Sequence, residues 1–135
     1  MDVVSTYKQA SSSTTDQGKL VNLLYIEVLK KINKLKESIK KKDLIETAEV
    51  SKKIIELITE LINSLEKDKE ETIQMTSYLE NLYLYQIKSI TMAIVNKNPV
   101  ELDIPFNVFT ELKSAWNDIC NANAAEKLTN NFKFD

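Results

Sequence analysis

Residues 16–41 read DQGKLVNLLYIEVLKKINKLKESIKK, and the placement of apolar side chains in this stretch decides the fold class. Val21, Tyr25, Val28, Ile32, Leu35 and Ile39 follow one another at intervals of 4, 3, 4, 3 and 4 residues. An α-helix turns once in about 3.6 residues, so these side chains form one continuous stripe, the seam of a packed helix. Leu20, Leu24 and Leu29 widen the stripe into a face. Asp16 suits the N-cap, where a side-chain oxygen accepts from the exposed N–H groups of the first turn. The dense lysines from Lys30 to Lys42 read as a solvated face whose positive charge complements the C-terminal end of the helix dipole. A helix is expected over about residues 16–41.

Working outward, Asp43 and Glu46 have the spacing of a capping box and open a second helix over about 44–66. Its apolar side chains form two adjacent rows, Val50, Ile54, Leu57, Leu61 and Ile55, Ile58, Ile62, Leu65, so its face is broad enough for two neighbours. A third helix is expected over about 72–97, with Met75, Leu79, Leu82, Tyr83, Ile87, Ile90 and Ile94 as its inner positions. Pro99 and Pro105 restrict the residues before them, leaving room between them for a turn or one short helical turn. The last helix is expected over about 105–120, with Asp103 as a nearby capping residue and Phe106, Phe109, Leu112, Trp116 and Ile119 facing inward. Residues 1–15 are Ser/Thr-rich and read as a mobile N-terminal arm interrupted by Val3, Val4 and Tyr7; residues 121–135 lose periodicity and read as a C-terminal tail.

Four long helices with short links favour antiparallel neighbours, so the expected fold is all-α: an antiparallel up-down four-helix bundle behind a flexible arm, with a short helical turn before its last helix. One Gly and two Pro leave too little turn chemistry for a sheet protein.

Composition also excludes chemistry. The chain has no histidine, which removes the commonest general base and transition-metal ligand; no metal or cofactor site is expected. Gly18, the sole glycine, lies in a helix, so no glycine loop cradles a phosphate. Acidic pairs such as Glu56 and Glu60 read as a solvated helix face, and no catalytic residue is assigned. All 18 basic residues are lysine, and the net charge is −2, the wrong footprint for nucleic acid. No stretch approaches the roughly 18 uninterrupted apolar residues of a membrane helix, and no secretory or lipidation motif opens the chain, so membrane insertion is not expected and a cytoplasmic location is. Cys120, alone, reads as a small hydrophobe. What remains is apolar helix surface beyond what one seam needs, which points to holding another protein.

Particular segments carry a resemblance. Tyr7-Lys8-Gln9 precedes Asp16-Gln17-Gly18-Lys19-Leu20 and Leu23-Leu24-Tyr25; Leu82-Tyr83-Leu84-Tyr85 and Glu111-Leu112-Lys113-Ser114-Ala115-Trp116 follow in that order. Over about residues 5–120 the order and spacing resemble the FliS family of flagellar export chaperones, in a divergent form. The resemblance implies a four-helix bundle that binds the disordered C-terminal segment of flagellin in the cytoplasm, keeps it from polymerising early and passes it to the export machinery. It implies an arm that covers part of the binding surface, a role that would fall to Tyr7. It also matches Tyr25, Tyr83, Tyr85 and Trp116 to the family's aromatic positions. Each of these reads as core first, with Tyr85 and Trp116 the better candidates for a partner-facing edge. The free chain is expected to be a monomer or weak dimer. The competing reading is a non-enzymatic adaptor, or a bundle that self-associates through the same apolar faces.

Departures from the family pattern are local. Ile26-Glu27 stands where Asp-Gly usually follows the Leu-Leu-Tyr signature, Asp68-Lys69-Glu70-Glu71 replaces a Gly-Gly loop, and Pro105 falls in what is commonly one continuous last helix.

Overall fold

A computed structural model of the chain describes residues 14–65 and 73–131, with side chains over 17–65 and 73–121. It contains α1 (Thr14–Lys40), α2 (Leu44–Asn63), α3 (Ile73–Val95) and α4 (Asp103–Asn131), with a 3₁₀ turn at Pro99–Leu102 ahead of α4. No strand occurs among the described residues. α1 and α3 each pack along α2 and α4. Lys36, near the end of α1, bonds Asp103 at the start of α4, and Trp116 further along α4 reaches back to Gly18 near the start of α1. The fold is an antiparallel up-down four-helix bundle with α1 and α3 facing each other across its diagonal.

The stripe on α1 builds the core. Val21, Tyr25, Val28, Ile32 and Leu35 are buried and Ile39 packs against them. Burying each such side chain stabilises the fold by about 1.5–3 kcal/mol, the usual return for removing an aliphatic or aromatic group from water. On α2 the row Val50, Ile54, Leu57, Leu61 is buried; of the second row Ile58 is buried, Ile62 and Leu65 are partly covered, and Ile55 lies at the rim.

Two turns at one end of the bundle share a construction. Lys42 takes a left-handed φ of 57°, its N–H bonds the Ile39 carbonyl at 3.1 Å, and the Asp43 N–H bonds the Ser38 carbonyl at 3.0 Å. Lys97 repeats this with φ 54°, its N–H on Ile94 and the Asn98 N–H on Ala93. Both are Schellman closures with lysine where glycine is usual. Asp43 then caps α2 by accepting the Glu46 N–H at 3.1 Å. Its own N–H is already taken by Ser38, so the capping box forms only in this direction. Ser38 and Thr47 join their hydroxyls at 2.9 Å inside the α1–α2 seam. Asn98 accepts from Val100 at 3.1 Å to start the 3₁₀ turn, whose Leu102 is fully buried and plugs the end of the core.

Some boundaries differ from the sequence-based expectation. α1 begins at Thr14, so Asp16 lies inside the first turn rather than capping it; a carboxylate is favoured by the helix dipole at either position. α4 begins at Asp103, with Pro105 in its first turn, where a missing N–H has no intrahelical partner to lose. It also runs to Asn131, well past the expected end near Cys120. Residues 122–128 are Ala, Asn, Ala, Ala, Glu, Lys and Leu, mostly strong helix formers that sustain a helix without a seam pattern. Two expected inner residues point outward: Met75 is 63% exposed and Ile119 is 52% exposed.

Candidate partner-binding surface

The aromatic residues singled out in the sequence separate into three environments. Tyr25 and Tyr83 are buried and meet across the diagonal, their phenol oxygens 2.6 Å apart. Phe109 from α4 stacks on Tyr83 at 6.2 Å with an interplanar angle of 5°, and tilts by 51° against Tyr25 at 6.3 Å. Burial pushes both phenols above their ordinary range, because a phenolate loses its hydration there. Tyr25 is pushed further by the neighbouring Tyr83 oxygen and by the shared hydrogen bond, which acts in the opposite sense on Tyr83. One turn on, Gln86 is 2% exposed and its Oε1 has no hydrogen-bond partner. This is a polar strip in the core, closed to an incoming chain unless the bundle opens.

Trp116 occupies the α1–α4 seam. Its Nε1 donates to the Gly18 carbonyl at 2.8 Å. Cys120 packs close to the same glycine: a Cβ at Gly18 would stand 3.3 Å from its Sγ. Further along the same seam a groove of about 540 Å³ opens between Ile26, Leu29 and Asn33 of α1 and Thr110, Lys113 and Asn117 of α4. Ile26 lines this groove, and Glu27 pairs with Lys30 of the same helix at 3.6 Å.

Tyr85 is 60% exposed on the outer side of α3 and does not stand alone. Met75, Tyr78, Leu82, Tyr85, Ser89 and Met92 follow at intervals of 3, 4, 3, 4 and 3 residues, a second seam on the side of α3 away from the core. Met75, Tyr78, Tyr85 and Met92 are all exposed, and Leu82 and Ser89 are half-buried. The inner side of the same helix is carried by Thr76, Tyr83, Gln86, Ile90 and Ala93. A helix apolar on both sides is ordinarily covered on both sides. Among the described residues, α3 is covered on one.

The sequence reading missed this second seam because Met75 and Leu82 fit an inner pattern as well as an outer one. The available signal was the heptad recurrence of Tyr78, Tyr85 and Met92 beside small or polar residues at Thr76, Gln86 and Ala93. Tyr7 lies outside the described residues.

Among the described residues, no group of three or more Cys, Asp or Glu side chains is arranged to hold a metal ion, and no helix is long and apolar enough to cross a membrane. The chain is 26% identical over 117 residues, 87% of its own length and 90% of the relative's, to a protein of Campylobacter jejuni subsp. jejuni serotype O:6 named flagellar secretion chaperone FliS. Residues 1–123 match the family described as flagellar protein FliS, and the chain belongs to that family.

Proposed function

We propose that this protein is a flagellar export chaperone that holds the C-terminal segment of flagellin in the cytoplasm, prevents its premature polymerisation and presents it to the export apparatus. The role is one of binding and requires no catalytic group. The observation that carries it is the exposed apolar seam on α3, from Met75 to Met92, in a chain of the FliS family. Apolar positions at alternating intervals of 3 and 4 along an outward helix face suit an amphipathic helix laid against them. A flagellin segment disordered in its free state would fold on that face. Coupled folding of this kind buries on the order of 1,000–3,000 Å² and costs a few kcal/mol in ordering, so the cargo needs an extended surface rather than a deep pocket. In this reading Tyr85 is a contact residue, Trp116 fixes the α1–α4 seam, Tyr25 and Tyr83 hold the scaffold, and Tyr7 belongs to an arm that shields the surface before cargo arrives.

The test is a calorimetric titration of a flagellin C-terminal peptide, followed in parallel by circular dichroism. A 1:1 complex with a gain of helix at concentrations of about 10 μM supports the reading. No heat and no added helix would end it.

A further inference from the structure

We propose that the end of the bundle formed by the α1–α2 and α3–α4 turns is a surface that rests on an anionic lipid bilayer, with aliphatic side chains among the acyl chains and lysines at the headgroups. This end is a different part of the molecule from the outer face of α3, and the inference does not depend on the function proposed above.

Exposure points to this end. Among the described residues, the five most exposed Leu, Ile and Val side chains are Leu44, Ile45, Val95, Val100 and Ile104, each between 64% and 75% exposed. Leu44 and Ile45 open α2, Val95 closes α3, Val100 lies in the 3₁₀ turn and Ile104 follows the first residue of α4, so all of them sit in the terminal turns at one end of the bundle. Single exposed aliphatic residues are ordinary on a protein surface, whereas their collection at one end marks an interaction site.

Charge at the same end is biased to match. Lys36 bonds Asp103, and Lys40 pairs with Glu37 at 3.4 Å. The Asp43 carboxylate accepts the Glu46 N–H and the Glu101 carboxylate accepts the Asn96 amide, both at 3.1 Å. Glu46 itself lines a groove on the side of the bundle together with Lys31, Lys34 and Lys53. Lys41, Lys42 and Lys97 remain, with no side-chain partner among the described residues. Two of them hold the left-handed backbone that glycine adopts more readily. Strain kept at two equivalent turns points to a use for the lysine side chain outside the fold. Beside exposed aliphatic residues, a lysine lays its methylene stem along the apolar layer and keeps its ammonium group at the level of the headgroups.

The kind of partner follows from the distribution. A partner helix needs a continuous stripe, and these residues are spread over the ends of three helices and a turn. A fluid bilayer needs only aliphatic side chains at a common depth beside cations, the pattern of an interfacial anchor. No helix has to cross the membrane for this, and a bundle standing end-on leaves the outer face of α3 open at its side.

The experiment is flotation of the full chain with vesicles of equal parts phosphatidylglycerol and phosphatidylcholine, against vesicles of phosphatidylcholine alone. Binding is expected to the first only, and is expected to fall away between about 0.1 M and about 1 M salt as screening shortens the reach of the lysines. Lys42→Gly/Lys97→Gly, which eases both left-handed backbones, should lower vesicle affinity about 25-fold, at about fivefold for each lysine, without loss of stability. Leu44→Ser/Ile45→Ser, at positions already exposed, should lower it at least about tenfold with the circular dichroism unchanged. Penetration is read in a Trp116→Phe background: the fluorescence of Val100→Trp should shift to the blue on anionic vesicles as the indole enters the interface, and that of Tyr85→Trp should not. No flotation, equal flotation with the neutral vesicles, an affinity indifferent to loss of the two lysines, or a blue shift at Tyr85→Trp would each overturn the proposal. None of these readouts uses flagellin, so failure here is separable from failure of the chaperone reading.

Discussion

The phenol oxygens of Tyr25 and Tyr83 stand 2.6 Å apart and tie α1 to α3 across the diagonal of the bundle, the one direction in which these helices do not pack side by side. Phe109 closes the site from α4, so a single polar contact is held by aromatic surface from three helices. A hydroxyl pair in such surroundings contributes little net stability when made, and costs more when half of it is left behind.

That asymmetry sets the first expectation. Tyr25→Phe or Tyr83→Phe alone should destabilise the protein by about 1–2 kcal/mol, because each strands the other hydroxyl in the core. The double replacement should cost clearly less than the sum of the two. Urea denaturation of the four proteins in the cycle measures this coupling, and strict additivity would show that the two hydroxyls act independently.

The same pair makes stability fall in alkali. Both phenols are raised in the folded state, while in the unfolded chain they titrate near their ordinary value of about 10. Below that pH both states hold the protons and the full stability is present. Above it the unfolded chain releases protons that the fold retains. Stability should then drop by about 1.4 kcal/mol per pH unit for each phenol until the folded groups also ionise. Denaturation midpoints measured from about pH 8 to about pH 11 should show this loss in the parent and a much shallower one in Tyr25→Phe/Tyr83→Phe.

Lys42 and Lys97 offer an opposite test, of strain rather than contact. Each holds a left-handed backbone that costs a residue with a Cβ about 1 kcal/mol, and neither side chain has a polar partner among the described residues. Lys42→Gly and Lys97→Gly should each raise stability by about 0.5–1 kcal/mol and should add, since they close different turns. A loss in either variant would mean that the lysine side chain does more than the backbone geometry indicates.

These turns also mark where the sequence was legible. Asp43 announces its helix through a carboxylate that can accept a first-turn N–H and Pro99 its turn through the restriction it puts on Asn98, and the α1 stripe places its helix because, Leu23 and Ile26 apart, its outer neighbours are polar. α3 was harder to read. Its residues are apolar on both sides, so periodicity located the helix but not its rotation, and Met75 was placed inward. The end of α4 failed for a related reason: seam pattern and helix propensity part company after Cys120, and propensity decides. The aromatic positions could be named from sequence, yet Tyr83 and Tyr85 sit two residues apart on opposite sides of α3, and only the packed bundle separates a core phenol from a surface one.

That separation gives the last expectation. Tyr85 is 60% exposed, so Tyr85→Asp removes little buried area and should leave the denaturation midpoint within about 0.5 kcal/mol of the parent. On a cargo-bearing face it should nevertheless weaken flagellin-peptide binding at least about tenfold, because a charge must then be desolvated where a ring was buried. Trp116→Phe should behave in the reverse manner. Losing the indole donor to Gly18 should cost about 1 kcal/mol of stability and leave peptide affinity unchanged, since that contact lies in the α1–α4 seam. Calorimetry and denaturation on the same two variants read both columns. If Trp116→Phe impaired binding while Tyr85→Asp did not, the cargo would have to lie along the groove walled by Ile26 and Lys113, and the outer face of α3 would lose its assigned role.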